Sequence, residues 1–181
     1  TEFNFLTTHV GSMPHKTLNG LTGYLHSLLD VPAWPQLPHR SFHESMYAQY
    51  SPTLPAICED AVQEKVYFNT SADITDALEA FYTPVLSDDV ENFALHPDYA
   101  HGFFAMLETL RQTNGQWAKG QVTGPISFGL TVTDQDLRAS LYDDMLADAI
   151  IKNMSMNARW QIRQLKSVRP NVILFLDEPY M

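Results

Sequence analysis

The sequence predicts an α/β fold of the (β/α)8 TIM-barrel type, with residues 1–181 supplying about the first four strands, a half-barrel. Three observations carry that expectation. Val172, Ile173, Leu174, Phe175 and Leu176 form an unbroken apolar run, followed at once by Asp177, Glu178 and Pro179. This is the pattern of a strand buried on both faces that ends in polar groups. Upstream, apolar runs and helix-period segments follow in the order β, α, β, an excursion with helices, then β, α, β. Alternation of this kind implies a parallel sheet with right-handed crossovers. Polar motifs also close each expected strand: Gly11-Ser12-Met13-Pro14, Gln36-Leu37-Pro38-His39, Thr123-Gly124-Pro125 and Asp177-Glu178-Pro179. In a barrel all four line one rim, where substrate groups are held. An open four-stranded sheet is the competing architecture.

Taken in order, residues 3–10 read as a strand running into the Gly11-Ser12 turn. Leu18, Leu21, Leu25, Leu28 and Leu29 have helical spacing, so residues 16–29 read as an amphipathic helix. Pro32, Pro35 and Pro38 leave only residues 33–37 as a short strand. Residues 39–70 read as an irregular excursion, with a hairpin arm at 62–68. A helix over 73–81 is capped by Ser71 or Asp73, and another over 98–112 ends at Asn114-Gly115. Residues 117–132 read as a strand and loop around Gly124-Pro125. Thr133, Asp134, Gln135 and Asp136 resemble a capping box opening a long helix, with Leu137, Leu141, Met145, Ala149, Ile150, Met154 and Leu165 on its apolar side. Arg169-Pro170 closes it before the last strand.

At 181 residues the chain is one domain, 1–181, with the excursion inside it. Eleven basic against twenty-one acidic residues give a net charge of -10, which excludes a nucleic-acid or anionic-membrane partner needing a concentrated positive field. No apolar run is long enough to cross a bilayer. The lone Cys58 rules out an internal disulfide framework and fits a reducing cytoplasm.

Two places stand out as binding groups. The Gly11-Ser12 turn can point backbone N–H groups at an anion, with the following helix N-terminus adding positive charge. Asp177, at the end of a buried strand, is a rigidly held carboxylate. The plainer reading of Asp177 and Glu178 is a strand-end pair that merely caps a following helix or binds a lysine. The seven histidines, among them His9, His15, His39 and His43, have no metal-ligand spacing.

Thr7-Thr8-His9-Val10-Gly11-Ser12-Met13-Pro14, Gly120-Gln121-Val122-Thr123-Gly124-Pro125-Ile126 and Phe175-Leu176-Asp177-Glu178-Pro179 resemble the first, third and fourth strand ends of the cobalamin-independent methionine synthase barrel. That family shares a superfamily with uroporphyrinogen decarboxylase and the corrinoid-dependent methyltransferases. The 34–38 segment and the excursion look more like the short single-barrel relatives. The resemblance implies a methyltransferase acting on a zinc-bound thiol such as homocysteine. The zinc ligands (one His, two Cys and one Glu) would lie in a C-terminal half that this chain does not contain, and Cys58 matches none of them. It further implies that the backbone at Gly11 and Ser12 receives the substrate carboxylate and that Asp177 receives its ammonium. Glu44 is a second carboxylate for that ammonium, and Glu178 adjoins the site.

The expected partners are the small-molecule thiol and an unidentified methyl donor. A second copy of the chain, or a separate C-terminal half, would cover the open strand edges, and the half-barrel alone would be inactive. A decarboxylase or corrinoid-dependent enzyme of the superfamily is the first alternative, although only Lys16 and Arg40 stand near the first strands to meet a polycarboxylate. A non-catalytic subunit completing a barrel with another chain is the second.

Overall fold

A computed structural model describes residues 5–181. Its elements in chain order are α1 (Leu21–Leu28), β1 (Ile57–Asp60), β2 (Lys65–Phe68), α2 (Thr75–Leu86), α3 (His101–Gln112), β3 (Trp117–Thr123), α4 (Pro125–Thr131), α5 (Asp144–Lys166) and β4 (Asn171–Asp177), with short 3-10 turns between them.

The half-barrel of four parallel strands does not form. The described residues make two separate two-stranded sheets. One is an antiparallel hairpin, β1 with β2, with Ile57 opposite Phe68. The other pairs β3 with β4 in parallel, from Trp117 opposite Asn171 to Thr123 opposite Asp177. The segments expected as the first two strands touch their neighbours only at single parallel bridges, Ser12 with Gln36 and Ala33 with Lys119. Residues 3 and 4 of the first expected strand lie outside the described residues.

The prolines explain the difference. Each removes a backbone N–H, so a segment carrying Pro32, Pro35 and Pro38 cannot sustain a ladder. Its hydrogen bonds come singly: Val31 N–H to the Thr7 carbonyl (3.0 Å), Gln36 N–H to Gly11 (2.9 Å), and Lys119 N–H to Pro32 (3.0 Å). Beyond Lys119 the same edge of β3 turns to side chains. Gln121 N–H donates to Gln161 Oε1 (3.3 Å), and the Gln121 carbonyl accepts from the Tyr50 hydroxyl (2.7 Å) and Gln161 Nε2 (2.8 Å). An amide and a phenol occupy the place of a neighbouring strand.

The core lies between β3, α3 and α5. Trp34 and Phe103 meet edge-on at 5.7 Å between centroids, and Phe103 meets Trp160 at 5.1 Å. The buried face of α5 includes Leu146, Ala149, Ile150, Met154 and Leu165, interrupted by Asn153, Asn157 and Gln161 at four-residue spacing. Those amides donate to the carbonyls of Tyr50, Phe93 and Gln121 respectively.

Several element bounds differ from expectation. Helix α5 opens at Asp143, whose carboxylate accepts from the Met145 and Leu146 N–H groups, while Thr133 to Asp136 belong to a turn and Leu137 is exposed. Helix α2 runs on to Leu86 through Pro84. Its N-cap is Ile74, which supplies no side-chain cap, so neither Ser71 nor Asp73 takes the expected place; the Asp73 carboxylate closes a local turn just before the helix, accepting from the Thr75 hydroxyl (2.6 Å) and N–H (2.9 Å). Helix α1 starts at Leu21, after a turn closed by its N–H on the Leu18 carbonyl (2.6 Å). Helix α4 stands where a loop was expected, and Pro125 at its first turn is its start signal. No helix is long and apolar enough to cross a membrane among the described residues.

Gln161 is fully buried and also accepts from Trp34 Nε1 (3.1 Å). Gln161→Leu keeps the volume and strands the Trp34 and Gln121 N–H groups, each unpaired buried donor costing about 1–3 kcal/mol. We expect a loss of about 2–5 kcal/mol in urea unfolding; a loss below about 1 kcal/mol would show that this amide does not join α5 to β3.

Candidate functional site

Beside the C-terminal ends of β3 and β4 lies a cavity of about 640 Å³, lined mainly by apolar surface, with Ser12, Gln36, Glu44, Tyr47, Asp177 and Glu178 among its walls. A volume of that size suits a small molecule. Three sequence segments meet here: the turn at 10–12, the start of the excursion, and the end of β4.

The predicted residues divide into two kinds. Asp177 is half-buried, and its carboxylate takes part in no hydrogen bond or ion pair with the described residues. Burial holds its pKa above the ordinary carboxylate value, and the charge of Lys119 opposes that rise. Ser12 lines the cavity beside it. Gly11 has φ 138°, a conformation natural to glycine. A Cβ there would also come within 2.8 Å of Gln121 Nε2 and 3.1 Å of Gln36 Oε1. The turn is therefore packed down on two buried amides. It does not lead into a helix, because α1 begins at Leu21, so the expected helix-terminal charge is absent from the Gly11-Ser12 turn.

Glu44 and Glu178 line the cavity, yet their charges are already engaged. Glu44 is fully buried and accepts from Leu37 N–H (3.2 Å) and Arg40 Nη1 (2.5 Å), which fastens the start of the excursion. Glu178 accepts from Ile126 N–H (3.0 Å) and Ser127 N–H (2.7 Å), capping the first turn of α4. Gly124 makes that cap possible, because a Cβ at this position would lie 2.0 Å from the Glu178 carboxyl carbon. The motifs Thr123-Gly124-Pro125 and Asp177-Glu178-Pro179 are thus two halves of one junction.

Lys119 is the group that sequence reasoning missed. It is fully buried in the middle of β3. Its Nζ donates to the carbonyls of His9 (2.9 Å) and Val10 (2.6 Å) and lies 4.1 Å from the centroid of the Phe175 ring. Burial pulls its pKa down to about 8, with the charge of Asp177 acting the other way. The signal was present: Lys119, Gln121 and Thr123 alternate with Ala118, Gly120 and Val122, which marks one polar face of the strand.

The histidines do not converge. His43 Nε2 meets Glu59 Oε1 at 2.5 Å and its ring stacks on Tyr99, away from the cavity walls. His9 lies near Lys119, and its pKa is lowered by burial and then by that neighbouring charge. Among the described residues no group of three or more His, Cys, Asp or Glu is placed to hold a metal ion. Comparison of the chain with family models, curated proteins and solved structures yields no match.

A double-mutant cycle tests the junction. Gly124→Ala is expected to cost about 1–3 kcal/mol of stability through overpacking. In the Glu178→Ala background that cost should fall by at least about 1 kcal/mol, because the clashing carboxyl is gone. Additive costs in thermal or urea unfolding would mean that the two residues do not share the contact.

Proposed function

We propose that the cavity binds the amino-acid end of a small substrate, with Asp177 receiving its ammonium, and that the chain serves methyl transfer to a thiol such as homocysteine. The observation that carries this reading is the Asp177 carboxylate, which lines the cavity with no hydrogen-bond donor of its own among the described residues. Neighbouring carboxylates are spent on Arg40 and on α4, which leaves Asp177 as the acceptor for an incoming cation. A charge-assisted hydrogen bond in such a partly desolvated place is stronger than one in water.

The methyl-transfer part rests on the three motifs that resemble the methionine synthase family. In that reading the substrate carboxylate lies toward Gly11 and Ser12, and the thiol points away from Asp177. The cavity positions the nucleophile and needs no proton transfer from its own residues. The zinc that activates the thiol would be carried by residues other than these, and the methyl donor would approach from the same side. The setting we favour is the cytoplasm, where a single free cysteine is at ease.

Asp177→Asn removes the charge and keeps the shape. We expect it to weaken L-homocysteine binding by about 10–100-fold in calorimetry, the equivalent of about 1.5–3 kcal/mol; an unchanged affinity would remove Asp177 from the site. The pH dependence follows from the direction of its shift. Ammonium binding requires the ionised carboxylate, whose folded pKa lies above the ordinary 3.8. Affinity should be full near neutrality and fall with acidification sooner than an unshifted aspartate allows. Titration calorimetry from pH 7 down to 4 checks this, and a flat profile would contradict it.

A further inference from the structure

Lys119 does not line the cavity, but it touches the wall residue Val10 and, in Phe175, the residue just before the wall residues Leu176 and Asp177. On one side its ammonium holds the His9 and Val10 carbonyls, immediately before Gly11 and Ser12. On the other it sits over the Phe175 ring, two residues before Asp177 on the same face of β4. The Gly11 carbonyl in turn accepts from Gln36 N–H, and the Gln36 carbonyl accepts from Met13 N–H, so the turn is pinned at both ends. We propose that Lys119 is the positioning residue of this cavity, its buried ammonium tying the Val10–Ser12 turn to the strand segment Phe175–Asp177 so that the wall residues Ser12 and Asp177 face one ligand. This inference rests on the cavity being the binding site; it does not depend on which amine or amino acid enters.

Two considerations favour a positioning role over a merely structural one. The first is energetic. Lys119 titrates near 8, below the usual 10.5, so folding disfavours its charged form. That penalty is absent above 10.5, grows as pH falls toward 8, and is complete at neutral pH. A methionine of similar length would fill the space without it, as buried ion pairs replaced by apolar groups commonly show. The second is electrostatic. Burial favours the uncharged form of Asp177, and the positive charge of Lys119 works against that. The ammonium therefore helps to keep the substrate-facing carboxylate ionised.

Other titratable groups surround Lys119. His9, on the first segment, titrates below its ordinary 6.5. Asp177, on β4, is raised from 3.8. Tyr50, from the excursion, is pushed far up by burial and then by Asp177. The charges of Lys119 and Asp177 move none of these three toward 8.

The test uses the ligand-free protein, so its outcome stands apart from the identity of the substrate. In Lys119→Met we expect amide hydrogen exchange at pH 7 to rise at least tenfold in both 10–13 and 175–178, with the β1–β2 hairpin unchanged and global stability no lower than wild type. Lys119→Arg, which keeps a cation, should restore protection in both segments. In wild type, amide resonances of Val10 to Ser12 and of Phe175 to Asp177 should shift together with one midpoint near 8, and that midpoint should vanish in Lys119→Arg. A response confined to one segment, two separate midpoints, or a midpoint that survives in Lys119→Arg would overturn the proposal. If Lys119→Met does not fold, the wild-type titration and Lys119→Arg still decide. If L-homocysteine fails to bind wild type while the exchange results hold, the functional reading falls and the positioning role stands.

Discussion

The structure depends on how the outer edge of β3 is satisfied. A buried strand edge must place every N–H and C=O, because an unpaired backbone group costs as much as a lost hydrogen bond. Next to β3 lies a segment with three prolines, which cannot supply a ladder. Gln161 from α5 and the Tyr50 hydroxyl from the excursion make up the shortfall at Gln121. Because Gln161 also accepts from Trp34 Nε1, a single amide fixes the helix, the strand and the proline-rich segment at fixed spacing. Without it the core would contain stranded donors on both β3 and Trp34.

The same logic builds the cavity. The polar face of β3 presents Lys119, Gln121 and Thr123 in turn, and each side chain seizes the backbone of a different segment. Lys119 takes the carbonyls of His9 and Val10, Gln121 Nε2 takes that of Trp34 (2.9 Å), and Thr123 Oγ1 takes that of Met46 (2.5 Å). Segments that would be strands in a regular sheet are held instead by side chains reaching across to their carbonyls. Such bonds fix position without requiring register, so the turn at Gly11-Ser12 and the start of the excursion can be irregular and still be well placed. Buried, satisfied polar networks of this kind confer order because the alternatives leave groups unpaired.

Much of this was legible in the sequence, and the failures have identifiable causes. The last strand, the long helix and the α3 helix follow from apolar periodicity, which reports burial directly. Asp177 was readable as a strand-end carboxylate, but the helix that Glu178 caps is the preceding α4 and not a following one, a long-range contact that local sequence does not reveal. Strand pairing was not readable, because apolar runs at 3–10 and 33–37 indicate extended chain and say nothing about whether a partner can complete the ladder. The prolines at 32, 35 and 38 carried that information, and their effect reaches beyond their own segment to the edges of its neighbours. Helix α4 was hidden because seven residues give too short a period, although Gly124-Pro125 is a start signal. Lys119 was hidden because a lysine in a strand reads as exposed unless the whole alternation around it is weighed.

The adjacent carboxylates at the end of β4 show how strand geometry can give two neighbouring residues different surroundings. Thr123 stands opposite Asp177, so the aspartate shares the face that carries Gln121 and Lys119 and looks toward the cavity. One residue later the chain leaves the strand, and Glu178 points instead to the first turn of α4, where two N–H groups neutralise it. Had both carboxylates been left without donors in the cavity, their repulsion would have raised both pKa values. Splitting them between a helix end and an open wall leaves one carboxylate satisfied and one available. The bare Gly124 allows that split, and the buried Lys119 helps to keep the available carboxylate charged.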